Sequence, residues 1–324
     1  MPTRETVFKK LYQTKKLPTP SHTTLEIIRL CRSETTSLNE ITRLIETDPA
    51  LSAEMLKYAN AAFLSSGVQI ASVQKATVKL GLNSVLALAL GLSLLGKNKK
   101  GKCSVFDYEL FWSTSLLQAI AAKSIASSEK QLEPEELFIG ALLSHMGQLA
   151  LASLFPKEYE EILTTYGFSS CGEWDSAKAP RTTANGPSNM LRKKLEKEKF
   201  EIDSSELTFE LFLDWGLPTP YALAAGFHDD LDNYQLGTGT TQKIAQLFHI
   251  AHQIAKICHH PQPSRECLQD IERQAQEFNL GERDFPSVFD AIIDKWHEVG
   301  AVFKIPTREC PSFQEIIVQD SECC

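Results

Sequence analysis

Ser144 and His145 sit side by side inside the otherwise apolar stretch "ALLSHMGQLAL", residues 141–151. A hydroxyl next to an imidazole is material for nucleophilic or acid–base chemistry. "GFHDD" supplies a second candidate, His228 followed by Asp229, and "HIAHQIA" a third, His249 and His252 three residues apart on one helix face. "CHHPQPSREC", from Cys258 to Cys267, gathers two cysteines and two histidines. Adjacent His259 and His260 lack the knuckle spacing of a zinc site, so this stretch reads as a helix end entering a proline-rich loop. Asp229, Asp230 and Asp232 read as the solvated start of a loop, and His249 and His252 as a partly exposed polar edge. Walker loops, G-x-G-x-x-G after a strand, G-x-S-x-G elbows and H-E-x-x-H motifs are absent from the sequence.

The elements that must position these residues are helices. Ser37 with Glu40 and Asp203 with Glu206 form capping boxes, Asp48-Pro49 pairs a cap with a first-turn proline, and Ser72 and Gly81 bracket "SVQKATVKLG". Long amphipathic runs follow in "DYELFWSTSLLQAIAAKSIA", "EPEELFIGALLSHMGQLALASLF" and "QKIAQLFHIAHQIAKIC". The second is expected to be one helix. On it Phe138, Leu142, His145 and Leu149 share a face, which makes His145 a core histidine satisfied by a hydroxyl or carbonyl. No alternating strand pattern appears, so the fold class is all-α.

At 324 residues the chain exceeds one ordinary core, and "KNKKGK" (97–102) reads as an inter-domain break. The organisation expected is an N-terminal helical subdomain over 1–100, a helical bundle over 101–300 and a C-terminal tail over 301–324. A mobile loop is expected near 168–190, where Ser, Gly, Pro, Asn and Thr replace the periodicity. A net charge of -8, with no basic aromatic stripe, argues against nucleic acid as partner. The basic N-terminus lacks the apolar segment of a secretory signal, and the uncharged run Leu80–Gly96 is too short and too polar to span a membrane. Eight scattered cysteines without a C-x-x-C read as free thiols of a reducing cytoplasm.

Several stretches carry a family pattern. Leu17-Pro18, Asp48-Pro49-Ala50-Leu51, "ANAAF" at 59–63, the Ile70–Ser72 turn and Leu80-Gly81 closely resemble the opening of HDOD domains, the HD-related output domains of bacterial signalling proteins. "ELFWSTSL", "FIGALLSHMGQLAL" and "DWGLPTPYALAAGFHD" continue the likeness in order, over roughly Leu17 to Lys256. The resemblance implies an N-terminal helical subdomain packed on a degenerate HD phosphohydrolase-like bundle. It also implies a non-catalytic regulatory module with a protein partner, without cofactor.

An HD phosphohydrolase holds a divalent metal with His and Asp side chains that activate a water. Matched to that pattern, the first histidine falls on Thr114, the His-Asp pair on Ser144 and His145, a later histidine on Ser204 and the last aspartate on His252. His228, with Asp229 after it, keeps its type. Neutral hydroxyls are poor ligands for a divalent cation, so no metal and no hydrolysis are expected. The alternatives are a rebuilt site of His145, His228 and His252 serving a diverged metal-dependent phosphohydrolase, or a signalling-nucleotide binder. The binder would need arginines gathered from Arg181, Arg192, Arg265, Arg273, Arg283 and Arg308. Tyr58, Asn60 and Phe63, in "YANAAF", are the candidates for a partner surface between subdomain and bundle.

Overall fold

The computed structural model describes residues 6–7, 22–31, 37–62, 70–81, 85, 88–89, 91–92, 100–129, 131–165, 187–260, 263–281 and 283–319. Among the described residues every regular element is a helix. The N-terminal group comprises α1 (His22–Cys31), α2 (Leu38–Glu46), α3 (Pro49–Ala62) and α4 (Val73–Leu80). The bundle continues with α5 (Tyr108–Ile125), α6 (Pro134–Leu143), α7 (Met146–Leu154), α8 (Pro156–Thr165), α9 (Pro187–Phe200), α10 (Ser204–Asp214) and α11 (Thr219–Phe227). It closes with α12 (Thr240–His259), α13 (Arg265–Ala275), α14 (Phe285–Phe303) and α15 (Phe313–Gln319).

Local chemistry sets the helix starts. Ser37 and Glu40 exchange side-chain and backbone bonds, as do Asp203 and Glu206. Asp48 Oδ1 accepts from the backbone N–H groups of Ala50 and Leu51 across Pro49. The packing is organised about α5, which is buried along most of its length and carries α6, α12 and α14. Trp112 on α5 and Trp296 on α14 are among the largest fully buried side chains. Side chains of this size contribute roughly 1.5–3 kcal/mol each to burial.

The last long helix, α14, packs on both α5 and α3 and so joins the N-terminal group to the bundle. Tyr58 of α3 fills that junction. Its ring lies 5.2 Å from Phe138 and 6.4 Å from Phe303, with Lys123 Nζ 5.8 Å from its centroid. Asn60 closes the end of the same helix, donating to the carbonyls of Leu56 and Ile70 (2.9 Å each) and accepting from the Ile70 N–H (2.8 Å). Both side chains therefore make contacts within the chain, and Tyr58 is 4% exposed. Phe63 lies outside the described residues.

One further expectation changes. The segment read as a tail from 301 is folded through Gln319: Ile305, Phe313 and Ile316 are buried, and the Phe313 N–H donates to Asp290 of α14. Its apolar residues recur at helical spacing and find the α14 surface. In the stretch expected to be a loop, residues 168–186 lie outside the described set, and α9 has begun by Pro187.

The helix expected across Ser144 and His145 is broken there. α6 ends at Leu143, His145 sits at φ −111° and ψ 15°, and α7 starts at Met146. The break has a tertiary cause. The Gly147 N–H is drawn to Thr208 Oγ1 (2.9 Å), and a Cβ on Gly147 would lie 1.9 Å from the Ser204 carbonyl oxygen. The start of α7 thus presses directly on the start of α10. The stretch Glu136–Leu154, apolar and long enough to cross a membrane if continuous, is 78% buried within the fold.

Candidate functional site

The break turns the His145 side chain toward α5 and α12. Its Nε2 lies 2.9 Å from Gln118 Oε1 and 3.2 Å from His252 Nδ1. His228, at the C-terminal end of α11, brings its ring centroid within 5.3 Å of His145 and 5.8 Å of His252. Helices distant in sequence thus gather His145, His228 and His252 into one buried cluster, at 9%, 2% and 8% exposure.

The protons of this cluster follow from its partners. The Ser144 hydroxyl donates to the Ala141 carbonyl (2.8 Å), leaving its oxygen to accept from Gln118 Nε2 at 3.1 Å. Gln118 Nε2 also faces the Phe248 carbonyl at 3.4 Å. The amide NH2 of Gln118 must point to these acceptors, so its Oε1 faces His145. His145 Nε2 therefore carries the proton, donating to Gln118 Oε1 and toward His252 Nδ1, and His252 is protonated at Nε2. Gln148 Nε2 stands at 3.5 Å from His145 Nδ1.

His228 is held by Nδ1 on the Ala225 carbonyl (3.0 Å), while its buried Nε2 has no hydrogen-bond partner and lies 3.7 Å from Asp229 Oδ1. His249 donates from Nδ1 to the His228 carbonyl (2.9 Å) and accepts at Nε2 from Gln253 (2.8 Å).

Burial is the largest influence at every one of these imidazoles and pushes each below the ordinary histidine value, well below it at His145 and His252. Neighbouring His228 adds to the effect at His145, and Lys256 at His252. At His228 burial outweighs the pull of Asp229. Burial would raise the Asp229 carboxyl, but His228, Lys193, His252 and Lys256 together hold it well below the usual range. Lys193 Nζ lies 3.3 Å from Asp229 Oδ2, so this carboxylate is a half-buried ion-pair partner rather than the solvated loop residue expected. His252 is likewise buried rather than an exposed edge.

Thr114 is half-buried on α5, and the residue of that helix that reaches the imidazoles is Gln118, one turn further on. Ser204 is buried and meets the α7 start through its backbone: its carbonyl packs against Gly147 and its N–H donates to Glu196 Oε2 at 2.7 Å. Glu196 also accepts from Tyr159 (3.0 Å) and faces Arg192 Nε at 3.8 Å. Of the arginines considered for a pocket, Arg192 stands close enough to repel a charge on His145 and on Lys256. Gln118, Arg192, Lys193 and Lys256 complete the site. Gln118 carried a signal in the sequence, as the one polar side chain of "LLQAIAA".

The donor set does not fit a hard divalent ion. The lone pair of His252 Nδ1 and the Nε2 position of His145 are joined to each other, Asp229 already answers Lys193, and Lys256 and Arg192 add positive charge. Among the described residues no group of three or more His, Cys, Asp or Glu is placed to hold a metal ion.

The HDOD domain family model matches residues 17–231. The MmoQ response regulator of Methylococcus capsulatus strain Bath is 32% identical over 85% of this chain and 98% of its own, with a TM-score of 0.49. An HDOD domain protein of unknown function from Geobacter sulfurreducens is 18% identical, covering 99% of this chain and 93% of its own, with a TM-score of 0.56. A protein of Shewanella amazonensis SB2B, provisionally named a phosphohydrolase, is 20% identical over 92% and 97%, with a TM-score of 0.64. At these last two identities the likeness shows a shared fold. No curated protein matches the chain.

Proposed function

The chain belongs to the HDOD family, and from that premise we propose that it is a bacterial cytoplasmic signalling module that works through a protein partner and not by hydrolysis. The observation that carries this reading is the hydrogen-bonded chain from Gln118 through His145 to His252. A hydrolytic centre of the HD type needs open lone pairs and carboxylates converging on a cation that activates water. Here neutral imidazoles bond to each other and to an amide, and an ammonium group occupies the neighbouring carboxylate. A response regulator at 32% identity supports a place in signal transduction. The tight helical packing about α5 and α14 supports a rigid body that presents surfaces to a partner.

A diverged metal-dependent phosphohydrolase remains the second reading, favoured by the unpartnered His228 Nε2. Phosphatase and phosphodiesterase assays with added manganese, iron or nickel separate the two. The non-hydrolytic reading expects no turnover above a His228→Ala control. Turnover that disappears in that variant would establish the enzyme. Affinity capture with the full chain from native cytoplasm should retain one stoichiometric protein partner. Recovery of the chain alone would contradict the interaction role.

A further inference from the structure

The imidazole cluster is bordered by three cations, and one of them is unanswered. Arg192 on α9 faces Glu196, and Lys193 faces Asp229. Lys256 lies one helical turn beyond His252 on α12, is half-buried, and makes no ion pair or hydrogen bond with any described residue. It is close enough to feel Asp229, Arg192 and Lys193. A partly desolvated ammonium without a contacting counter-ion costs free energy that a bound anion would recover. Asp229, which Lys256 feels, also lies 3.7 Å from the second unmet group, His228 Nε2, buried with the rest of a ring that is 2% exposed. With Nδ1 committed to the Ala225 carbonyl, the neutral ring offers a lone pair at Nε2 and lacks a donor to meet it. The Lys193 and Asp229 side chains keep 19% and 15% exposure, so water reaches this edge of the cluster.

We propose that this edge of the cluster receives a phosphate group bearing a protonated oxygen, with Lys256 as its principal cation, Lys193 shared between Asp229 and the anion, and the P–OH donating to His228 Nε2. The proposal deepens the non-hydrolytic reading and rests on it, because an ion held by the imidazoles would take the same space. Inorganic phosphate carries a P–OH at neutral pH and a phosphodiester carries none, so the lone pair on His228 discriminates between them. A nucleoside monophosphate carries that proton only in its monoanionic form, below a second pKa of about 6, so free phosphate is the better match near neutral pH.

The test is calorimetric titration of the full chain, in chelator-treated buffer near neutral pH, with inorganic phosphate, a nucleoside monophosphate and a cyclic phosphodiester as separate probes. Saturable binding of phosphate at one site per chain is expected, with the monophosphate arm showing whether a nucleoside adds affinity. Lys256→Ala should weaken it about tenfold, the scale of one charge-assisted hydrogen bond. Lys256→Arg should restore most of the affinity, and thermal melting of both variants confirms that they fold. Absence of saturable binding of any probe at millimolar concentration would overturn the proposal, as would a folded Lys256→Ala variant that binds phosphate as the parent does. A phosphodiester that binds as tightly as phosphate would overturn the role of His228. Hydrolysis of the bound monophosphate would instead defeat the non-hydrolytic reading while leaving the binding site in place.

Discussion

Gln118→Leu removes the group that fixes the proton positions of the imidazole cluster while keeping the volume of the side chain close to constant. Three contacts disappear: the acceptor for His145 Nε2 at 2.9 Å, the donor to Ser144 Oγ at 3.1 Å and the longer donor to the Phe248 carbonyl at 3.4 Å. His145 keeps His252 at 3.2 Å and Ser144 keeps Ala141 at 2.8 Å, so neither is left wholly unsatisfied. Two good buried hydrogen bonds, each with part of the desolvation penalty of its stranded partner, amount to about 2–4 kcal/mol. Urea unfolding followed by fluorescence and far-UV circular dichroism measures this as a lower midpoint at unchanged slope. Proton NMR of the imidazoles should show a changed His145 environment in the same variant. Gln118→Glu keeps an acceptor and introduces an anion, so the His145 pKa should rise toward the ordinary histidine range. A Leu variant within about 0.5 kcal/mol of the parent, the scatter of neutral surface changes, would refute the network as the organiser of the site.

Gly147→Ala should destabilise by about 1–3 kcal/mol or fail to fold, because the added methyl meets backbone of Ser204 rather than a movable side chain. Its unfolding midpoint checks this, and an unchanged midpoint would show that α7 and α10 are not in register there. Asn60→Ala should cost about 2–3 kcal/mol by removing the bonds that clamp the α3 end to Ile70, again read from the denaturation midpoint. The buried histidines should make the fold acid-labile. Their folded-state pKa values are depressed, to about 4 at His259, so below the unfolded value of about 6.5 the unfolded chain binds more protons and stability falls with pH. Each excluded proton steepens that fall by up to about 1.4 kcal/mol per pH unit. Stability measured from pH 7 downward checks the sign, and a flat profile between pH 6 and 4.5 would contradict it.

The parts of the fold legible in the sequence were those decided within a few residues. The Ser37–Glu40 and Asp203–Glu206 boxes and the Ser72 cap form as their spacing requires. His145, His228 and His252, far apart in the sequence, stand together in one cluster. What escaped was set by contacts between distant segments. The break at Ser144–His145 is made by Thr208 and Ser204 pressing on Gly147, and nothing local to an apolar run announces it. Gln118 stood out as a polar side chain among apolar ones, but its three partners lie at the α6–α7 break and on α12. Asp229 looked solvated because its counter-ion, Lys193, belongs to α9. The contacts of Tyr58 and Asn60 are equally non-local, since α14 and the Ile70 turn come from elsewhere in the chain.

The central claim is that hydrogen bonds and ammonium groups have replaced a cation among the imidazoles. The most direct measurement is elemental analysis of the full chain purified without chelator, paired with thermal melting on addition of zinc, nickel or manganese. The account expects far less than one metal per chain and no rise in melting temperature that grows with metal concentration. One tightly held metal per chain, lost together with the thermal gain on His228→Ala, would contradict it.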